Sequence, residues 1–264
     1  MNKKLLAGLQ IIMYAGMVTV NALANILPIN GLNTGEVSAL FDNRFVPAGF
    51  TFSMWGIIYL FLFAWVAASA IILWKGDEKE PLFEHVKRIA PLFLITCILN
   101  AVWIFLWHYL QIVFTLIVML WLLRTLIAIY RKMQLHRNII TGVNLWTLYA
   151  PFVIYLAWIC VATIANTSAL LVHVQWNGFG MDAWIWSCIM IVIAFLLTAG
   201  FTYWRGELAF GLVTAWALYG IYKAQLGNSE MVGYTALGGS MLCLVFAVLG
   251  FLKWNRKTPL EGII

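Results

Sequence analysis

The sequence predicts an all-α integral membrane protein with about eight transmembrane helices. Three observations carry that prediction. Of 264 residues, 64% are hydrophobic and 10% charged, and the mean hydropathy is +0.92, whereas a soluble domain carries about 25% charged residues. The apolar residues fall in continuous runs long enough for about 20 residues of spanning helix, rather than in the alternating pattern of a membrane barrel. Basic residues gather in every second gap between those runs, as the positive-inside rule requires.

The runs lie near 5–27, 48–74, 88–107, 110–130, 141–166, 183–203, 208–224 and 232–252. The first follows Lys3 and Lys4. Its Ala22-Leu23-Ala24 resembles a signal cleavage site, but the run continues through Asn25-Ile26-Leu27 and is long enough to span. The second opens in FVPAGFTFSMWGIIY (45–59), after Asp42, Asn43 and Arg44. Pro47 and Gly49 suit a non-helical approach and first turn. Trp55 and Tyr59, four apart, share one face. His108 and Tyr109 leave almost no loop between the third and fourth runs, so these helices are antiparallel neighbours. In the last run Ala236, Gly238 and Gly239 permit close helix approach, within the chain or between copies.

Topology follows from the charges. Lys75, Lys79, Lys87 and Arg88 follow the second run; Arg131, Lys132 and Arg137 the fourth; Arg205 the sixth; Lys253, Arg256 and Lys257 the eighth. The alternate loops carry only Arg44 and Lys223. Both termini are therefore expected in the cytoplasm. The loop 28–47, the turn at Trp107-His108 and the loop 167–182 are expected outside. Sixteen Lys and Arg against ten Asp and Glu give +6, but this charge lies between spans and forms no nucleic-acid face.

Several chemistries find no support. Cys97, Cys160, Cys188 and Cys243 lie far apart in apolar runs and read as small buried apolar residues. No Ser/His/Asp or Cys/His constellation and no metal motif occurs. His108 and His173 read as interfacial residues with the chemistry to ligate haem iron. Lys223 lies too near a helix end for a retinal linkage. No Asp or Glu sits mid-span, which weakens an ion-coupled relay.

Polar residues at membrane depth usually face the bundle interior. Here they are Asn21, Asn25, Asn100, Arg124, Asn144 and Asn166, of which Arg124 is placed to snorkel. Interfacial placement accounts for Trp74, Trp176, Trp184, Trp204 and Trp254, and less well for Trp103, Trp107, Trp121, Trp146 and Trp158. Asn100, Trp103 and Trp107 fall on one helix face. Such a stripe lines either an aromatic pocket or a packed core.

Three stretches resemble the TspO/MBR family, the tryptophan-rich sensory or translocator proteins. Trp55-Gly56-Ile57-Ile58-Tyr59 is similar to the W-x-x-x-Y step of the family's second helix, which follows W-x-P-P-x-W; here Pro47 supplies one proline and Ala48 stands for the other. Leu99-Asn100-Ala101-Val102-Trp103 resembles L-N-x-x-W of the third helix. Tyr155-Leu156-Ala157-Trp158, with Ala162-Thr163 and Asn166, resembles P-Y-x-x-W…A-T-x-L-N of the fifth, with Pro151 one turn before the family's proline position.

The resemblance implies a five-helix core at 1–168 and additional helices at 169–264. It implies a cavity lined by Trp55, Asn100, Trp103, Tyr155 and Trp158, which the shared faces extend to Tyr59 and Trp107. The loop 28–47 would be its lid, with Asn30, Gly31, Asn33, Thr34 and Gly35 supplying turn chemistry and Pro47 and Gly49 its far edge. It implies a sensor or carrier in a bacterial plasma membrane for porphyrin or haem-type tetrapyrroles, with no required cofactor, a small hydrophobic ligand and the bilayer as partners, and a homodimer. A carboxylate on such a ligand would meet Arg44 or Asn100. A small-molecule transporter is the alternative, and a scaffold subunit a further one. Light-dependent porphyrin breakdown, proposed for bacterial members, would be the enzymatic version.

Overall fold

The structure is a computed structural model that describes residues 2–41 and 43–257, with side chains through Trp254. Asp42 and the side chains of Arg256 and Lys257, part of the charge pattern above, lie outside the described residues. Among the described residues the regular structure is helical throughout. The helices are α1 (Lys3–Ile26), α2 (Thr34–Ala39), α3 (Met54–Lys75), α4 (Pro81–His108), α5 (Ile112–Gln134), α6 (Ala150–His173), α7 (Ala183–Ala199), α8 (Leu208–Gln225) and α9 (Glu230–Lys257). Each expected span is present as a helix. Among the described residues, seven segments are long and apolar enough to cross a membrane. The eighth expected span is α8, whose 18 residues end in Lys223-Ala224-Gln225, polar enough to dilute its apolar run.

Some boundaries differ from expectation. The third span starts at Pro81, so Lys87 and Arg88 ride on α4 instead of preceding it. Proline is favoured in a first turn, where its missing N–H is not needed, and Arg88 Nε donates to Glu84 Oε1 at 2.7 Å, one turn back. The fifth span runs on to His173, so 167–173 is helix and not outer loop. Trp121 and Trp146, for which interfacial placement accounts less well, are 57% and 59% exposed and point outward. Arg124 is likewise exposed, as a snorkelling side chain should be.

The chain forms two compact units, Met1–Val37 with Ser53–Ile159, and Ser38–Phe52 with Cys160–Ile264. In the first, α1 packs on α3 and α4, and α4 on α5. Its core is aromatic: Trp65 is fully buried, 4.5 Å from Phe93 and 5.1 Å from Phe152 between ring centroids. A π-helical turn, Leu145–Tyr149, leads into α6 and packs on α3. Its cause is Pro151, which lacks an N–H and whose ring crowds the carbonyl four residues back; the chain answers by widening, and Ala150 N bonds Leu145 O.

In the second unit α9 packs along α8 and α7. Small residues allow this. A Cβ on Gly250 would collide with the Thr202 carbonyl. That carbonyl sits in a second π-helical turn, Gly200–Trp204. Ala236 is fully buried and Gly239 faces Leu218 and Ile191, so both serve packing within the unit, while Gly238 has nothing within 4 Å.

Candidate functional site

The aromatic residues singled out in the sequence converge within the first unit. Trp55 on α3 stacks on Tyr59, centroids 5.7 Å apart with 19° between planes. It meets Trp103 of α4 at 6.2 Å. Trp103 in turn stacks on Trp107 at 5.5 Å and 17°. The four rings form a ladder along two helices. From α6, Tyr155 and Trp158 present edges to Trp55 at 6.0 and 6.1 Å. All of these rings are buried except Tyr59, which is half-buried. The four-residue spacing explains the two stacked pairs, since positions i and i+4 lie one above the other on a helix.

Beside the ladder runs a polar thread joining three helices. Asn21 Nδ2 of α1 donates to Asn100 Oδ1 at 2.7 Å, and Asn100 Nδ2 donates to Tyr155 Oη at 2.9 Å. Asn21 Nδ2 also donates to Met17 O. Asn100 and Tyr155 are fully buried. In hydrocarbon an unpaired amide is costly, so this pairing fixes how α1, α4 and α6 approach each other. Asn100 is thereby committed to protein partners; the expectation that it meets a ligand carboxylate gives way to a role in orienting Tyr155. Two polar groups at the ladder remain unsatisfied. Trp103 Nε1 is buried with no acceptor, and Tyr59 Oη is sealed beside Asn100 without a hydrogen bond of good geometry.

The ladder's outer end is held by the start of the loop expected to be a lid. Trp107 Nε1 donates to Thr34 O at 3.2 Å. Asn30 Nδ2 donates to His108 O at 3.0 Å. The sequence reads His108 as an interfacial residue. It is 1% exposed, with Nδ1 3.0 Å from Ile29 O and Nε2 3.2 Å from Thr34 Oγ1. Both ring nitrogens are occupied, so the haem-ligand expectation for His108 is corrected: the residue is a latch. His173 is exposed. Among the described residues no group of three His, Cys, Asp or Glu is placed to hold a metal.

The lid residues divide between the units. Asn30 and Gly31, both with positive φ (58° and 85°), make the turn before α2 in the first unit. Asn33 then caps α2, its Oδ1 accepting from Gly35 N and Glu36 N, while Glu36 Oε2 accepts from Asn33 N. This reciprocal box was readable from Asn33-Thr34-Gly35-Glu36 and was missed because those residues look like plain turn chemistry. Pro47 and Gly49 belong to the second unit, where Ala48 N donates to Gly220 O at 3.0 Å. The sequence also gave no hint that Asn21 would pair with Asn100, 79 residues away.

A family model described as TSPO-like protein matches residues 7–249. The chain belongs to the TSPO-like family. The match extends beyond residue 168 and takes in the C-terminal helices. Comparison with curated proteins and with solved structures finds no match. Membership in the TSPO-like family, with seven apolar spanning segments, makes this a multi-pass membrane protein with a ligand-binding or transport role.

Proposed function

We propose that the protein is a membrane sensor or carrier that binds a flat hydrophobic molecule of the porphyrin or haem-type tetrapyrrole class against the aromatic ladder Tyr59–Trp55–Trp103–Trp107. The observation that carries this reading is the ladder itself, a continuous buried aromatic surface ending at a latched loop segment. Rings 5.5 to 6.2 Å apart leave no slot between them, because a sandwiched ring needs roughly 7 Å, twice a carbon–carbon contact. The ligand therefore lies over the cluster, and release of the His108 latch opens the way to it. Trp103 Nε1, sealed without an acceptor in the closed arrangement, becomes available to a ligand acceptor such as a propionate once the latch releases. Tyr155 and Trp158 hold Trp55 edge-on, which sets the plane that the ligand meets. In this reading both termini face the cytoplasm of a bacterial plasma membrane, as the basic loops suggest.

The test is titration of protoporphyrin IX into the purified protein, followed by tryptophan quenching, for wild type, Trp103→Leu and Trp158→Leu. Saturable binding weakened about tenfold by each substitution, roughly 1.4 kcal/mol, supports the proposal, with circular dichroism showing retained helix. Binding that ignores both substitutions, or its absence, refutes it. The transport reading shares this surface; porphyrin crossing proteoliposomes only when the protein is present favours carrier over sensor.

A further inference from the structure

A cavity lies wholly within the second unit, and none of the ladder residues lines it. It measures about 250 Å³ and is lined by Arg44, Leu171, Trp176, Trp186, Met181 and Met190, with Asn43, Ser168 and Ser187 among its polar members. The outer loop residue Arg44 thus comes beside the end of α6 and the start of α7.

The cavity is built rather than incidental. Trp186 Nε1 donates to Gly178 O at 2.9 Å, and the Trp176 and Trp186 rings meet at 5.0 Å. Gly178 has φ +63°, and a Cβ there would press on Trp186 Nε1 at 3.3 Å. Asn177 Oδ1 accepts from Phe179 N and closes the turn. These contacts fix an indole wall opposite aliphatic and thioether side chains.

Its polar groups are mostly spent. Ser187 Oγ bonds Ala183 O, Ser168 Oγ bonds Ile164 O, and the Asn43 side chain bonds Phe41 O and Phe45 N. Arg44 is the exception. It is half-buried, it is the one charged residue lining the cavity, and it makes no ion pair or hydrogen bond among the described residues. The N-terminal turn of α7 opens on the same cavity through Ala183, and its N-cap Asp182 makes no side-chain cap; the carboxylate accepts from Trp184 Nε1 instead. A guanidinium with no partner among the described residues and uncapped helix N–H groups both favour an anion, and the indole and Met wall favours an apolar body.

We propose that this cavity binds a small amphiphile with a single anionic head, the head at Arg44 and the apolar body on Trp176, Trp186 and Met190. One cation beside an indole and thioether wall suits a carboxylate with a short chain or one ring system. Such an anion arrives either as a free acid from water or as the head of an anionic lipid from the bilayer.

The experiment uses the full chain in zwitterionic nanodiscs and radiolabelled decanoate, with decanol as the uncharged match. Arg44→Gln is expected to weaken decanoate at least tenfold and leave decanol within twofold. Arg44→Lys retains most of the affinity, and Trp186→Leu weakens both ligands. Trp103→Leu changes neither, which keeps this result separate from that for the aromatic ladder. In a parallel arm, intact-protein mass spectrometry after exchange into phosphatidylglycerol nanodiscs counts retained lipid. Retention lost in Arg44→Gln assigns the site to lipid heads; decanoate binding without such retention assigns it to free acids. If neither decanoate nor phosphatidylglycerol responds to Arg44→Gln, the proposal is overturned.

Discussion

Replacing Asn100 by Leu tests the polar thread directly. The two side chains are close in size, so the change removes hydrogen bonds more than volume. It deletes the bond from Asn21 Nδ2 at 2.7 Å and the bond to Tyr155 Oη at 2.9 Å. Interhelical bonds of this kind contribute on average ~0.6 and at most ~1.7 kcal/mol each in membranes. Two of them set the expected loss at about 1–3 kcal/mol. Asn21 keeps its bond to Met17 O, which holds the value towards the lower half of that range. The assay is reversible unfolding in mixed micelles, run as a double-mutant cycle with Tyr155→Phe. Coupling of about 0.6–1.7 kcal/mol between the two sites is expected. Asn25→Leu is the control: Asn25 is exposed and its amide donates to Asn21 O in its own helix, so it should change stability little. Wild-type stability for Asn100→Leu, or additivity with Tyr155→Phe within about 0.3–0.5 kcal/mol, would refute the argument that the thread couples α4 to α6.

Two further outcomes follow from close contacts. His108→Ala removes the two ring bonds to the loop start, worth about 2 kcal/mol together, and leaves the bonds of Trp107 to the Thr34 carbonyl and of Asn30 to the His108 carbonyl in place, so amide hydrogen exchange across 29–37 should quicken by up to roughly 30-fold; unchanged exchange would mean that those remaining contacts hold the segment. Gly250→Val pushes a side chain into the Thr202 backbone and should destabilise by about 1–3 kcal/mol in thermal unfolding, whereas Gly238→Ala, in open space, should be neutral.

The spans were legible because a bilayer demands long apolar runs, and these leave an unambiguous trace. Helix direction was not. Trp121 and Trp146 point outward; for Trp121 the sign is Arg124, three residues on and exposed on the same face, whereas apolar neighbours give no direction because lipid and protein core are equally apolar. The start of α4 was misjudged because Lys87 and Arg88 look like loop charges, while a first turn beginning at Pro81 accepts them. The stacked pairs Trp55–Tyr59 and Trp103–Trp107 could be read from spacing alone, since they depend on one helix each. The pairing of Asn21 with Asn100, and of His108 with Ile29 and Thr34, depends on which helices become neighbours. Local pattern carries no record of that.

The widened turn at Leu145–Tyr149 bears on how the ladder tolerates change in the loop before it. A π-helical turn holds one residue more than an ordinary one, so it shifts the phase of the helix by about 100° per residue inserted. Tyr155 and Trp158 lie after that shift and keep their bearing on Trp55. Because Pro151 in an ordinary turn would crowd the carbonyl four residues back, a one-residue deletion within 145–149 is absorbed by return to ordinary helix only where Pro151 is replaced as well, and the rotation then falls on the stretch ahead of it. The turn works as a clutch set by the proline: while Pro151 stays, the extra residue takes up the rotation and the two aromatic side chains stay aimed at the same partner.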